Sequence, residues 1–201
     1  AGHWRVEEAS GATTTVDTAG GNDGALHGNA AIVTDADRGQ ALALDGSGDY
    51  VALGNPAELN FTGQITLAAW VKPEATDGIR NIVVHGYSPS PQGEVYLRIA
   101  DGRYEIGSWD GSGHKAGYDI PAGDIGVWVH LTGVYDGTHW RLYRNGVEVA
   151  SPEEATGAVT VAEDWAIGAR GTGTERFFQG RIDDVRIYTR GISAEEADAL
   201  A

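Results

Sequence analysis

Apolar and polar residues alternate in short runs along this chain, and turn-forming Gly, Asp and Asn separate the runs. The runs are QALALDG, DYVALG, QITLAAWVKP, NIVVHGY, EVYLRIA, RYEIGSWDG, HKAGYDIP, WVHLTGVYDG, HWRLYRNGVEVAS, DWAIGAR and FQGRIDDVRIYTR. A two-residue period sends successive side chains to opposite faces, so each run predicts a strand with at least one buried face. Strands in close succession, with helix-period segments nearly absent, predict an all-β, two-sheet sandwich rather than alternating β and α units. Within HWRLYRNGVEVA, Asn145-Gly146 supplies the two positive-φ positions of a type I′ hairpin turn. One helix is predicted, close to the C-terminus. Ser193 and Glu196 form a capping box, and Ala197 and Leu200 give a helix of about two turns its small apolar face. This helix is expected to plug one end of the sandwich.

The last strand poses a question of charge. If RIDDVRIY is regular, Asp183 shares a face with Val185 and Ile187, while Asp184 shares the other with Ile182 and Arg186. One carboxylate then faces an apolar layer and needs a neutralising partner. An arginine such as Arg181, or backbone amides at the sheet edge, would provide it.

The length, 201 residues, suits one sandwich domain with a sizeable core, and neither repeat, linker nor low-complexity segment divides residues 1–201. The 30 glycines and the absence of methionine fit a turn-rich all-β chain. A formal net charge of −15 argues against nucleic acid as a partner, since binding to phosphates depends on Lys and Arg. The same acidity suits a solvated surface or an extracellular protein that binds divalent cations. Without cysteine there are no disulfides, thiolate zinc sites or cysteine nucleophile. No apolar run approaches the roughly 18 residues of a membrane span. The start, AGHWRVEE, has neither an initiator Met nor a signal peptide, which is expected of a domain excised from a longer or processed chain.

The segments TAGGNDGALHGN, GQALALDGSGDYVALG, FTGQITLAAWVKP, WVHLTGVYDGTHWRLYRNGVEVAS and GRIDDVRIYTRGISAEE carry a family resemblance through their order. Over almost its whole length the chain resembles bacterial laminin-G-like domains of the concanavalin A-like jelly-roll superfamily. The resemblance implies two curved antiparallel sheets forming a jelly-roll sandwich, and a secreted or cell-surface location. It also implies a structural calcium ion where the N-terminal loop meets the last strand. Asp183 would then be a metal ligand, joined by Asp17, Asn22 and Asp45, since calcium takes six to eight oxygens and Gly-rich loops let backbone approach it. The domain is expected to be monomeric and attached to other domains of a parent protein.

Such sandwiches serve as carbohydrate-binding modules, adhesion domains and glycan-cleaving enzymes, so the residues must separate these classes. The strand motif E-x-D-x-x-E of the glucanase relatives is absent, and PEEAT, AEDWA and IDDVR have the wrong spacing. Neither H-E-x-x-H nor G-x-S-x-G occurs. ARGTGTE lacks the lysine and following helix of a phosphate loop and reads as a hairpin loop. A lyase needs a Tyr or His base and a cation for the substrate carboxylate. His114, Lys115 and Tyr118 in HKAGYDI faintly echo jelly-roll alginate lyases, with Tyr96, Arg98, Arg103 and Tyr104 nearby in sequence, but Tyr118 falls one position early.

A lectin instead needs exposed aromatics for the C–H faces of sugars, beside planar polar groups for their hydroxyls. Trp109, Asp110, His114 and Tyr118 in GSWDGSGHKAGY offer that chemistry, and His85, Tyr87 and Arg98 are candidates to join them. Trp70 and Trp128 are expected to lie in the core, and Trp140 and Trp165 to be structural. The reading is a non-catalytic module binding a polysaccharide or other glycan. A polysaccharide lyase and a protein-binding adhesion domain are the alternatives.

Overall fold

In the computed structural model, which describes residues 1–201, the alternating runs form strands, and backbone hydrogen bonding extends the pattern to the N-terminus. The first strands are β1 (Gly2–Trp4), β2 (Thr14–Thr15), β3 (Gly24–His27), β4 (Ala31–Asp35), β5 (Gly39–Asp45) and β6 (Tyr50–Gly54). They are followed by β7 (Ile65–Pro73), β8 (Ile79–Pro89), β9 (Gln92–Ala100), β10 (Arg103–Trp109) and β11 (Gly113–Asp119). The chain ends with β12 (Val129–Tyr135), β13 (Trp140–Arg144), β14 (Val147–Ala150), β15 (Trp165–Ile167), β16 (Gln179–Tyr188) and the helix α1 (Ala194–Leu200). Strands β1–β4 lie before the first predicted run. They are short, and each is fixed by its neighbours more than by its own pattern.

Two antiparallel sheets face each other. The first has the order β14-β13-β12-β7-β16-β5-β4, with β1 also paired to β16, and the second has the order β11-β10-β9-β8-β15-β6-β3-β2. Inward residues of both sheets merge into one apolar cluster that includes the fully buried Trp4, Trp140 and Trp165. One continuous core thus joins the two sheets.

Local chemistry explains the ends of these elements. Asn145 and Gly146 have φ of 48° and 77°, as the hairpin between β13 and β14 requires. Ser193 Oγ accepts from the Glu196 amide at 3.2 Å, and Glu196 Oε2 accepts from the Ser193 amide at 2.9 Å, closing the capping box. The helix does not plug the sandwich. Ala197 packs with Val134, Tyr143 and Ile192 in a cluster separate from the main core, on the outer side of the first sheet. Trp70 likewise lies on that outer side, half-buried beneath the Arg38 guanidinium at 4.4 Å, and Trp128 is half-buried with its indole donating to Asp35, so neither is a core residue.

β16 departs from regularity where it matters. Asp183 pairs with Trp70 and Arg186 with Ala68, so two residues of β16 oppose one of β7, and Asp184 adopts φ of 50°. The bulge lies where β16 exchanges one neighbour for another, β5 along Gln179–Ile182 and β1 along Val185–Ile187. One extra residue resets the alternation. Ile182, Val185 and Ile187 all point into the core, and Asp183 faces outward with Trp70 instead of into the apolar layer. It is still buried, and its partner is an arginine: Arg38 Nε donates to Oδ2 at 2.7 Å. Arg181, the partner expected from sequence, pairs with Asp35.

Candidate functional site

Strands β9 and β10 build the floor of a cleft on the outer face of the second sheet. Val95, Leu97 and Ile99 enter the core, so Glu94, Tyr96 and Arg98 point outward; Tyr104 and Ile106 do the same for Glu105 on β10. Trp109 ends β10 on this outer face and is 36% exposed, the most accessible of the tryptophans. The β8–β9 hairpin adds Tyr87 and Gln92, whose Nε2 donates to the Tyr87 hydroxyl at 3.0 Å.

The loop joining β15 to β16 folds back over the same face. The Gly171 amide donates to the Gly86 carbonyl at 2.8 Å, and the Arg176 carbonyl accepts from the Asn81 amide at 2.9 Å. Gly173 has φ of 65° and lies so close to the Tyr50 ring that any Cβ would collide with it. These anchors aim Arg170 and Arg176 into the cleft. Together with Ile79, the residues named enclose about 450 Å³.

Charge organises the floor. Buried Glu94 receives Arg176 Nη1 on both oxygens at 2.7 and 3.0 Å, with Arg98 Nη1 at 3.6 Å and Arg170 Nε at 3.9 Å. Arg98 also donates through Nη2 to Glu105 at 2.9 Å, and Lys115 pairs with the other Glu105 oxygen. Arg98 therefore stands between two carboxylates and ties both down. Its guanidinium lies over the Tyr96 ring at 3.6 Å, and that of Arg170 over the Tyr87 ring at 4.9 Å. Burial pushes the Tyr96 hydroxyl up to about 12, so it remains a hydrogen-bond donor and not a base at neutral pH. The arrangement offers aromatic faces and fixed polar donors, with its carboxylates committed to ion pairs.

The cleft gathers three of the predicted ligand residues: Trp109, Tyr87 and Arg98. The others lie elsewhere. His85 faces the core, stacked on Trp165 with ring centroids 4.5 Å apart and bonded to Asn55 Oδ1 at 3.2 Å; burial lowers it to about 4 and keeps it neutral. Opposite Ser108 and Tyr104 respectively, His114 and Tyr118 share the inward side of the sheet edge, the reverse of Trp109. His114 is held between Asp110 and Glu154, each at 3.2 Å, and these carboxylates raise its pKa despite the opposing effect of burial. Tyr104 is buried and donates to Asp124 at 3.2 Å. Of the residues considered for elimination, Tyr104, Tyr118 and His114 therefore do not share a face with Arg98; Tyr96 does, but its raised pKa keeps the hydroxyl protonated. Sequence reasoning overlooked Glu94, Gln92 and Arg176 as site residues and set Arg170 aside with the ARGTGTE loop. The period-two spacing of Glu94, Tyr96 and Arg98 was the available signal.

Of the predicted calcium ligands, Asp17 and Asn22 lie together, while Asp45 and Asp183 are engaged elsewhere. Asp17 Oδ1 accepts backbone amides of His3, Ala19 and Gly20 at 2.8, 3.0 and 3.0 Å, while Oδ2 accepts the Asn22 amide and side chain at 3.1 and 3.3 Å. Burial opposes ionisation of Asp17, but these amides outweigh it and hold its pKa below the ordinary value. Asp45 caps Ser47 at 2.8 Å, opposite Gln179 at the start of β16, and Asp183 is committed to Arg38. No three His, Asp or Glu side chains gather in an arrangement that would hold a metal ion. Asp17, Asn22, Asp45 and Asp183 as a set do not fit the ion.

Comparison with known proteins sets this geometry in a family. Among solved structures, domain 4 of the extracellular arabinanase AbnA from Geobacillus stearothermophilus, in complex with arabinotriose, is similar at TM-score 0.69 and 21% identity, covering 100% of this chain and 97% of that chain. The binding domain of botulinum neurotoxin serotype G gives TM-score 0.73 at 12% identity, over 99% of this chain and 50% of that one. The binding domain of Paraclostridial Mosquitocidal Protein 1 gives 0.72 at 15%, over 99% and 51%. The chain thus spans about half the length of the two toxin binding domains, and at these identities the likeness is one of fold. No curated protein is significantly similar in sequence. The family profile of the concanavalin A-like lectin/glucanases superfamily, in its laminin-G form, matches residues 45–198. With that match over most of its length and a jelly-roll sandwich beneath it, the chain belongs to the laminin-G-like domains of the concanavalin A-like lectin/glucanases superfamily.

Proposed function

We propose that the domain is a non-catalytic carbohydrate-binding module and that its glycan lies in the cleft of the second sheet. The observation that carries the reading is the convergence of Trp109 and Tyr87 with Gln92 and the arginines in one cleft. A sugar ring stacks its C–H face on an aromatic side chain while planar polar groups take its hydroxyls. The arabinotriose complex of the arabinanase domain supports a glycan ligand for a fold of this kind. That arabinanase is extracellular, which supports a secreted setting here, and the module is proposed to work as a monomer.

Calorimetric titration with a panel of polysaccharides and their oligomers tests the reading. Trp109→Ala is expected to weaken binding about tenfold, equivalent to about 1.4 kcal/mol, with little effect on melting because the indole is partly exposed. His114→Ala, on the reverse side of the sheet, is expected to leave affinity unchanged. Unsaturated uronate ends appearing in the ultraviolet would instead identify a lyase, and equal loss in both variants would remove the ligand from the cleft.

A further inference from the structure

Resting on the glycan-binding reading, we infer that the cleft is built for an acidic glycan, whose sugar carboxylate is received by Arg170 and Arg176. The formal charge of the chain is −15, yet the cleft lining carries three guanidiniums, those of Arg98, Arg170 and Arg176, against the single carboxylate of Glu94. The surplus survives inclusion of the next charges outward, for Lys115, Glu105 and Glu175 bring the tally to four cations and three carboxylates. A strongly acidic protein thus keeps Trp109, its one exposed aromatic, and the half-buried Tyr87 beside a patch of the opposite sign.

The donors also exceed the acceptors around them. Arg170 and Arg176 converge on the same Glu94 oxygen, at 3.9 and 2.7 Å, so their guanidiniums are neighbours. Arg176 reaches Glu94 through Nη1 alone, whereas a guanidinium has five N–H donors. Arg170 Nε is buried and has no hydrogen-bond partner. Planar guanidiniums match a planar carboxylate through paired, charge-assisted hydrogen bonds that a neutral hydroxyl cannot reproduce. The loop backbone is anchored at Gly171 and at the Arg176 carbonyl, and ion pairs to Glu175 and Glu94 hold the two guanidiniums in place. The cleft therefore holds its cationic side preformed, next to the rings of Tyr87 and Trp109 that would take the sugar face. A uronate and a sialate offer the same carboxylate, and the probes distinguish them.

The experiment uses matched pairs differing only in that group: oligogalacturonate and its methyl ester, and sialyllactose and lactose, with arabinotriose as a further neutral sugar. Titrations at about 0.1 M salt or above screen the overall negative charge beyond about 10 Å. In at least one pair the acid is expected to bind about tenfold or more tightly than its neutral counterpart. Arg170→Gln is expected to erase that preference by weakening the acid about tenfold more than its neutral counterpart; its other partner, Glu175, is exposed, so the variant should fold. Arg176→Gln is expected to act in the same direction, with its folding checked by melting. If neutral sugars bind as well as acids and still depend on Trp109, the acidic preference is overturned while the glycan reading stands. If no sugar binds, both fall.

Discussion

Glu94→Ala is expected to destabilise the protein by about 3 kcal/mol, because it removes the buried anion around which Arg98, Arg170 and Arg176 are organised. The value lies at the low end for breaking a buried pair, since the arginine side chains retain 12–20% exposure and some solvation. For a domain of this size the melting temperature should fall by about 6–12 °C. Glu94→Gln keeps the shape and one acceptor but not the charge, and should lie between parent and alanine variant. Urea unfolding of the three proteins measures this. An unchanged midpoint in Glu94→Ala would show that the arginines are held by something other than their shared carboxylate.

Asp183→Asn is expected to gain on the parent as pH rises. Burial raises Asp183 to about 6 even though Arg38 and the Asp184 amide oppose the shift, whereas its ordinary value is 3.8. Between those values the folded protein holds the proton and the unfolded chain has lost it, so this group makes stability fall as pH rises from about 4 through 6. The shift corresponds to about 3 kcal/mol at full ionisation. The difference between variant and parent should therefore move in the variant's favour by up to about 3 kcal/mol between pH 4 and pH 8. Taking the difference cancels titrations the two proteins share. Movement in the opposite direction would mean that the ionised carboxylate is stabilising, as it would be in a metal site.

What the sequence made legible was governed by neighbouring residues. The Asn145-Gly146 turn, the Ser193–Glu196 capping box and the interior strands depend on local chemistry, and the structure carries each of them. What it concealed was set across the sheets. The Asp184 bulge arises where β16 changes partners, and it turns Asp183 to the outer face in a way no alternation rule within the strand anticipates. The same limit applies to the site. Trp109 and His114 lie close in sequence, but the β10–β11 pairing sends them to opposite sides of one sheet. Arg170 and Arg176 come from a loop with no periodicity, and only its anchoring to Gly86 and Asn81 brings them beside Glu94.

A glycan seated on the outer face of the second sheet should reveal itself in amide and indole NMR during titration with an oligosaccharide. The Trp109 indole N–H and the amides of Gln92, Arg170 and Arg176 are expected to shift together and saturably. The Trp128 indole, bonded to Asp35 at 3.0 Å on the first sheet, should stay in place. Shifts confined to His114, Glu154 and the edge they share, or to the first sheet, would contradict that placement.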